Sequence, residues 1–348
     1  MNRISVFHFF NIKIKIMSMS SDVYQFELQR KSKQLKQQKI TQIKDDIKIV
    51  CLKLFEFPEE IVNIILEYYS FDESKIETNY SLEEKVKKYY KTGTNEYLLN
   101  ELDVSCVTSM YKLFHNCKQF NQLLDKWDTS NVIDMRCMFY CCHNFNQPIN
   151  FNIKNVIQMA FMFYDCHKFN QSLNKWDTSN VINMSYMFYG CYNFNQFVNF
   201  NTKNVIDMSY MFCRCYEFNQ PVNFDTLNVV DMEYMFGECY NFNQVVNINT
   251  SSVTNMCCMF YNCYDFNQQL NFDTSNVTDI DCMFNNCYSF NQPVNFDTKN
   301  VISMNWMFNN CYSFNQIVNF DTENVTDDYN MFNGCKSLEE KNKLLIIY

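Results

Sequence analysis

Four glycines and four prolines in 348 residues fall far below the roughly 12% those two types occupy in an average chain. Ala160 is the one alanine. Ordinary Gly and Pro turns therefore cannot punctuate the fold, and its turns must come from Asn, Asp, Ser and Thr. The histidines (His8, His115, His143, His167) form no HExxH pair and the glycines (Gly93, Gly190, Gly237, Gly334) stand alone. With no phosphate loop and no nucleophile elbow, the chain reads as a non-enzyme without a cofactor or metal. No run approaches the ~20 apolar residues of a membrane span. The apolar stretch in Met1–Ser20 is broken by His8, Lys13 and Lys15, and no small-residue cleavage site follows it. We read 1–20 as a poorly ordered N-terminus rather than a secretory signal, and the protein as intracellular, with the cell surface as the alternative.

Positive charge is also scarce beyond the front of the chain. Residues 1–55 carry 11 basic and 4 acidic side chains, whereas 101–348 carry 13 basic and 24 acidic. An acidic surface repels phosphate, which argues against nucleic acid as a partner. At 47% apolar and 19% charged the chain can still build a core.

The dominant signal is repetition. FNQ begins at Phe120, Phe145, Phe169, Phe194, Phe218, Phe242, Phe266, Phe290 and Phe314, and a Cys keeps step from Cys117 to Cys335. These mark ten coils of 24 residues, or 25 where Lys126–Trp127 and Lys175–Trp176 add one. Two packed helices need about 33 residues, so each unit must be a single coil of the leucine-rich-repeat size class, roughly 20 to 29. The expected fold is a repeat solenoid, leucine-rich-repeat-like, with one short parallel strand and one short helical turn per coil. Pro148, Pro221 and Pro293 share a column, and a residue with no backbone donor can only open a strand. The strand should therefore start there, with Val222 and Phe224 inward and Asn223 outward. The outward column (Asn150, Asn199, Asn223, Asn247, Asn271, Asn295, Asn319) should form an amide ladder. Asn228 and its equivalents should be buried and serve loop backbone. Apolar spacings of 3, 4 and 7 in Met232–Cys239 predict a short helical turn.

The expected organisation is 1–20 poorly ordered, 21–100 helical, 101–338 a ten-coil solenoid, and 339–348 a C-terminal cap.

The column pattern VTDMxxMFxxCxxFNQ, as in Val277–Gln292 with Ile280 at the Met column, resembles the surface-protein repeats known from mycoplasmas, relatives of BspA-like leucine-rich repeats. The resemblance covers about Leu102–Leu338 and implies a repeat fold that binds without catalysis. A second segment, Phe57, Pro58, Glu59, Glu60, Ile61, Val62, Asn63, Ile64, Ile65, Leu66, Glu67, Tyr68, Tyr69, resembles the opening of an F-box. That resemblance implies docking of Phe57, Pro58, Glu59, Ile61, Ile64, Ile65 and Tyr68 on a Skp-type adaptor of ubiquitin ligases. It also suits large DNA viruses of amoebae, which would place the protein in a host cytoplasm. The segment read by itself is equally an amphipathic helix covering the first coil.

The ladder cysteines read as buried reduced thiols, since parallel side chains in adjacent coils give poor disulfide geometry. Cys137, Cys258, Cys282, Cys141, Cys142, His143, Cys166 and His167 lack the spacing of a zinc site. Tyr192, Tyr216, Tyr240, Tyr264, Tyr288 and Tyr312 form a column after the ladder Cys. If exposed, the column is a candidate partner-binding stripe; otherwise the rings stack and shield the coil edge. Specificity would come from the variable column Arg136, Ala160, Ser185, Ser209, Glu233, Cys257, Asp281 and Asn305. The expected function is non-catalytic protein binding, with a protein target on the solenoid and a possible F-box-like link to a host ubiquitin ligase. The alternative is a surface or secreted adhesin.

Overall fold

The structure is a computed structural model that describes residues 21–53, 77–92 and 99–342. The chain divides into two compact units, one made of Met1–Met110 with Lys126–Val132, the other of Tyr111–Asp125 with Ile133–Tyr348.

In the first unit, helix α1 spans Ser21–Lys53 and α2 spans Asn79–Thr92. Thr78 and Ser81 start α2 as a capping box: Thr78 N–H donates to Ser81 Oγ at 2.8 Å, and Ser81 N–H returns to Thr78 Oγ1 at 3.3 Å. One turn apart, Leu82 and Val86 are both buried. Against the following chain α1 buries Leu28, Ser32 and Ile40, and the polar member of that face is fully engaged. Ser32 Oγ donates to Cys106 O at 2.6 Å and accepts Asn79 N–H at 3.1 Å. The Asn79 amide then accepts the Thr108 N–H at 2.8 Å, and Thr108 Oγ1 donates to Leu28 O at 2.7 Å. Leaving any one of these buried groups unpaired would cost about 1–3 kcal/mol, so the network fixes the register of both helices.

The second unit is built of repeats, each hydrogen-bonded to the next by one scheme. From Met232 to Glu238 every second N–H points forward: Met232 to Asn255 O, Tyr234 to Cys257 O, Phe236 to Met259 O and Glu238 to Tyr261 O, at 2.6–3.1 Å. The intervening N–H groups turn back within the coil, as Met235 to Met232 O and Gly237 to Tyr234 O. Val230 N–H points the other way, to Ile206 O of the preceding repeat. Parallel bridges therefore run through Asp207, Asp231, Asn255, Asp279, Ser303 and Asp327.

Inside, like residues lie over like. Val229, Met232, Met235, Phe236, Cys239 and Phe242 are all fully buried. Equivalent phenylalanines stack face to face, Phe236 on Phe260 at 5.7 Å and Phe242 on Phe266 at 5.9 Å.

Two expectations are corrected. Met232–Cys239 is a run of tight turns, because Tyr234 (φ 50°) and Glu238 (φ 58°) are left-handed, as are their equivalents in every described repeat. A left-handed residue with a β-carbon costs roughly 1–2 kcal/mol. Each such residue here lets its N–H reach the next coil, and an unmade buried bond would cost at least as much. The 3, 4, 7 spacing fits either geometry, since both return apolar residues to one side. The main ladder, moreover, runs through the Asp231 column. At the expected strand, 222–224, one parallel bridge joins Val222 to Val246. The inward alternation itself is present: Val222 and Phe224 are buried and Asn223 is exposed.

The reason lies in the spacing of the repeats around the coil. Equivalent rings are 4.7 Å apart at Tyr240–Tyr264, 5.7 Å at Phe236–Phe260, and 6.4 Å at Phe296–Phe320 in the extended segment. A β-ladder needs about 4.7–4.9 Å between strands; the bridges follow the Asp231 column, and the extended segment, where the rings stand farthest apart, has the Val222–Val246 bridge alone among the described residues.

Candidate functional site

The repeated polar residues fall into two groups: those that join coils and those that face outward unused. Asn and Gln of FNQ belong to the first. Asn219 Oδ1 accepts both the N–H of Asn243 and Nε2 of Gln244, each at 3.0 Å. The buried Thr column does likewise, with Oγ1 donating to a carbonyl of the next coil, as Thr226 to Asn249 O at 2.6 Å. Asn228 also bridges coils, to Lys203 O at 2.8 Å, but it is exposed, contrary to the expected burial. The pairing of Asn and Gln in FNQ escaped sequence reasoning. Their recurrence in all nine FNQ strings, at positions that core packing does not explain, was the available signal.

The ladder cysteines act as donors. Cys239 Sγ lies 3.1 Å from Phe212 O and Cys263 Sγ 3.0 Å from Phe236 O, and the same contact recurs from Cys142 to Cys335. Burial pushes the thiols of Cys166, Cys191, Cys215, Cys239, Cys263 and Cys287 well up. A nucleophilic cysteine needs the opposite shift. The ladder cysteines from Cys142 to Cys311 form no disulfide.

Of the other cysteines considered, Cys137 is half-buried, and burial lifts its thiol to about 11. Cys257 and Cys258 sit with sulfurs 3.6 Å apart. No group of three or more His, Cys, Asp or Glu among the described residues is arranged to hold a metal ion.

The six candidate tyrosines form one continuous stack. Tyr192, Tyr216, Tyr240, Tyr264, Tyr288 and Tyr312 lie ring on ring at 4.6–4.8 Å. His143 and His167 extend the stack at 4.2–4.3 Å. Lys336 Nζ closes the far end, 4.1 Å from the Tyr312 centroid. All six tyrosines are half-buried, and burial raises the pKa of Tyr192, Tyr264 and Tyr288. The stack consumes the ring faces and leaves edges and hydroxyls outward, so the column cannot offer the flat aromatic platforms that anchor a partner.

The extended segment after FNQ is different. Outside the two coils lengthened by Lys126–Trp127 and Lys175–Trp176 it alternates exposed and buried residues, as Val245 out, Val246 in, Asn247 out, Ile248 in, Asn249 out. The first outward column is mostly apolar and unlike from coil to coil: Pro148, Ser172, Phe197, Pro221, Val245, Gln269, Pro293 and Ile317, with Phe197 39%, Val245 60% and Ile317 63% exposed. The middle outward column is the asparagine column. Its amides have no hydrogen-bond partner among the described residues, so the expected amide ladder does not form. An amide ladder does occur where coils are closer: Asn286 Nδ2 reaches Asn262 Oδ1 at 2.6 Å, and Asn310 reaches Asn286 at 2.8 Å.

In the first unit, a hollow of about 510 Å³ is lined by Leu35, Lys39, Gln42 and Ile43 of α1 and by Ser105, Cys106, Asp128 and Asn131. Its Lys39 is engaged with Asp103 Oδ2 at 2.7 Å. The F-box-like residues Phe57, Pro58, Glu59, Ile61, Ile64, Ile65 and Tyr68 lie outside the described residues. No helix among the described residues is long and apolar enough to cross a membrane.

No curated protein and no solved structure matches the chain. Residues 81–199, 193–272 and 270–344 each match one protein family, described as Mycoplasma protein of unknown function, DUF285. That is the kinship with mycoplasma-type repeats which the recurrent VTDMxxMFxxCxxFNQ pattern suggests. The three matches run without a gap from residue 81 to 344, and the chain belongs to the DUF285 family.

Proposed function

We propose that this protein is a non-catalytic repeat protein whose leucine-rich-repeat-like solenoid binds a protein target. One observation carries the reading. Columns that bond coil to coil are nearly identical along the array, whereas the exposed column from Pro148 to Ile317 varies and is rich in apolar residues. Isolated exposed apolar side chains need no explanation, but a column with apolar residues at six of these eight positions supports an interaction surface. Chemistry has little support in comparison: the ladder thiols are protonated donors, and His143 and His167 sit in an aromatic stack.

Affinity capture tests the reading, comparing the full chain with a Phe197→Ser, Val245→Ser, Ile317→Ser variant. A partner retained by the first and lost by the second supports it. Equal capture by both removes this stripe as the binding surface.

The adaptor role belongs to the same proposal and rests on the resemblance of Phe57–Tyr69 to an F-box opening. A purified Skp-type adaptor should bind the full chain and lose it on Ile64→Asp with Ile65→Asp. No binding by the unaltered chain ends the ligase half and leaves target binding in place.

A further inference from the structure

The outward face of the extended segment has three columns side by side. Val245 and most of its equivalents are apolar, Ser172 and Gln269 being the exceptions, and Asn247 and its equivalents carry amides without a hydrogen-bond partner among the described residues. Within the second unit the third column is acidic in five of the repeats, with Asp177, Asp225, Asp273, Asp321 and Asp297, the last beside Lys299 Nζ at 3.2 Å, all exposed.

Equivalent stacked rings are farthest apart here. Phe200 and Phe224, directly beneath the face, are 6.5 Å apart, as are Trp176 and Phe200, and Phe272 and Phe296 are 6.4 Å apart. Backbone pairing of neighbouring coils in this segment is confined, among the described residues, to the Val222–Val246 bridge. The ring spacing is close to the advance of two residues of an extended peptide, about 6.6 Å.

We propose that this face binds an extended peptide in which apolar residues alternate with Lys or Arg, lying along the stack at two residues per repeat. The inference rests on the protein-binding function proposed above and names the chemistry of the partner. Successive side chains of such a peptide point to opposite sides. The apolar set falls on the Val245 column and the basic set on the Asp225 column. Every second residue then turns both its N–H and its C=O toward the asparagine column. One asparagine amide supplies one acceptor and one donor direction, so each repeat satisfies one such residue.

Charge selects this occupant over others. Nucleic acid would bring phosphate against the carboxylates. A second copy of the same face would set Asp against Asp, and like charges placed together are unfavourable.

The test is fluorescence anisotropy of labelled decapeptides with the full chain. An alternating Val–Lys peptide should bind, more weakly as salt rises. An alternating Val–Glu peptide should not bind. A Val–Lys peptide of the same composition with its lysines grouped should bind about tenfold more weakly, because it loses the register. Replacing the exposed Asn223, Asn247 and Asn271 by Ala should weaken the alternating peptide by about tenfold or more, with thermal unfolding unchanged. Asp273→Asn with Asp297→Asn and Asp321→Asn should flatten the salt dependence. Equal binding of grouped and alternating peptides, or indifference to the asparagine replacements, would overturn the proposal. If affinity capture still finds a partner that the Phe197→Ser, Val245→Ser, Ile317→Ser variant loses, but no alternating peptide binds, the peptide inference fails while protein binding stands. Absence of both rejects both.

Discussion

Gly190 lies so close to Asp165 of the preceding repeat that a β-carbon added at 190 would sit 2.1 Å from Asp165 Oδ1. Both residues are left-handed, Gly190 at φ 69° and Asp165 at φ 53°. Other repeats place Arg214, Glu238 and Asn262 at this position with positive φ, so conformation alone does not demand glycine. The Asp165 carboxylate adds a second requirement, since it would have to swing aside for a β-carbon at 190.

Gly190→Ala should therefore destabilise the fold by more than the roughly 1–2 kcal/mol of a left-handed β-carbon, measured by denaturant unfolding. Adding Asp165→Ala, which keeps a β-carbon at that left-handed position and removes the carboxylate, should recover the part caused by contact. A double variant no more stable than Gly190→Ala would show that the cost is conformational.

Two asparagines with similar surroundings in sequence should behave oppositely. Asn219→Ala removes the acceptor of Asn243 N–H and Gln244 Nε2, leaving two part-buried donors unpaired at about 1–3 kcal/mol each. Asn223→Ala removes an exposed amide with no partner among the described residues and should change stability by less than about 0.5 kcal/mol. Equal losses in chemical denaturation would contradict the division between bonding and outward columns.

The buried thiols give the protein an alkaline limit. Their folded pKa values are raised by burial, so in the folded state they keep protons that the unfolded chain releases above about pH 8.5. Stability is then fully present below that pH and falls as pH rises toward the folded values, by about 1.4 kcal/mol per pH unit for each such thiol. Melting temperature should drop steeply from about pH 9 upward. Alkylation of native protein, mapped by mass spectrometry, should modify Cys257 well before Cys239 or Cys263. Uniform labelling would refute the burial on which the argument depends.

Carboxylates of the bridging column follow the same sign at lower pH. Burial, chiefly, raises the pKa of Asp231 and Asp279, so their contribution is present at acid pH and is lost as pH rises through the folded values. Asp231 Oδ1 accepts Glu233 N–H at 2.9 Å, a bond an amide oxygen can replace, as Asn183 does for Ser185 at 2.8 Å. Asp231→Asn should raise the melting temperature at pH 7, and the gain should shrink toward pH 4. A loss at pH 7 would mean that the charge itself is required.

The period, the inward columns and the placement of Phe, Met, Val and Cys were legible because burial leaves a pattern along the chain. The outward Asn223 and the inward Val222 and Phe224 followed from alternation alone. The ladder was misplaced because Val-Asn-Phe satisfies alternation whether or not the next coil is near enough to pair. The turn over Met232–Cys239 was misread as helical because the left-handed Tyr234 column has no Gly and one Asn, Asn330, to announce it, although the second left-handed column, at Glu238, carries Gly190, Asn262 and Gly334. The face for a partner was sought at Tyr192–Tyr312, where the rings turned out to spend their faces on each other.

What the amino-acid order determined by itself is that a 24-residue unit recurs and which of its residues must leave water, since hydrophobic burial depends on side-chain type and period. Only the three-dimensional packing decided how far apart neighbouring coils stand on each side. Hydrogen bonds act over a few tenths of an ångström, and the repeat period is the same all the way round a coil. Sequence therefore could not say that Asn243 would be bonded by its neighbour while Asn247 would face outward with its amide unspent.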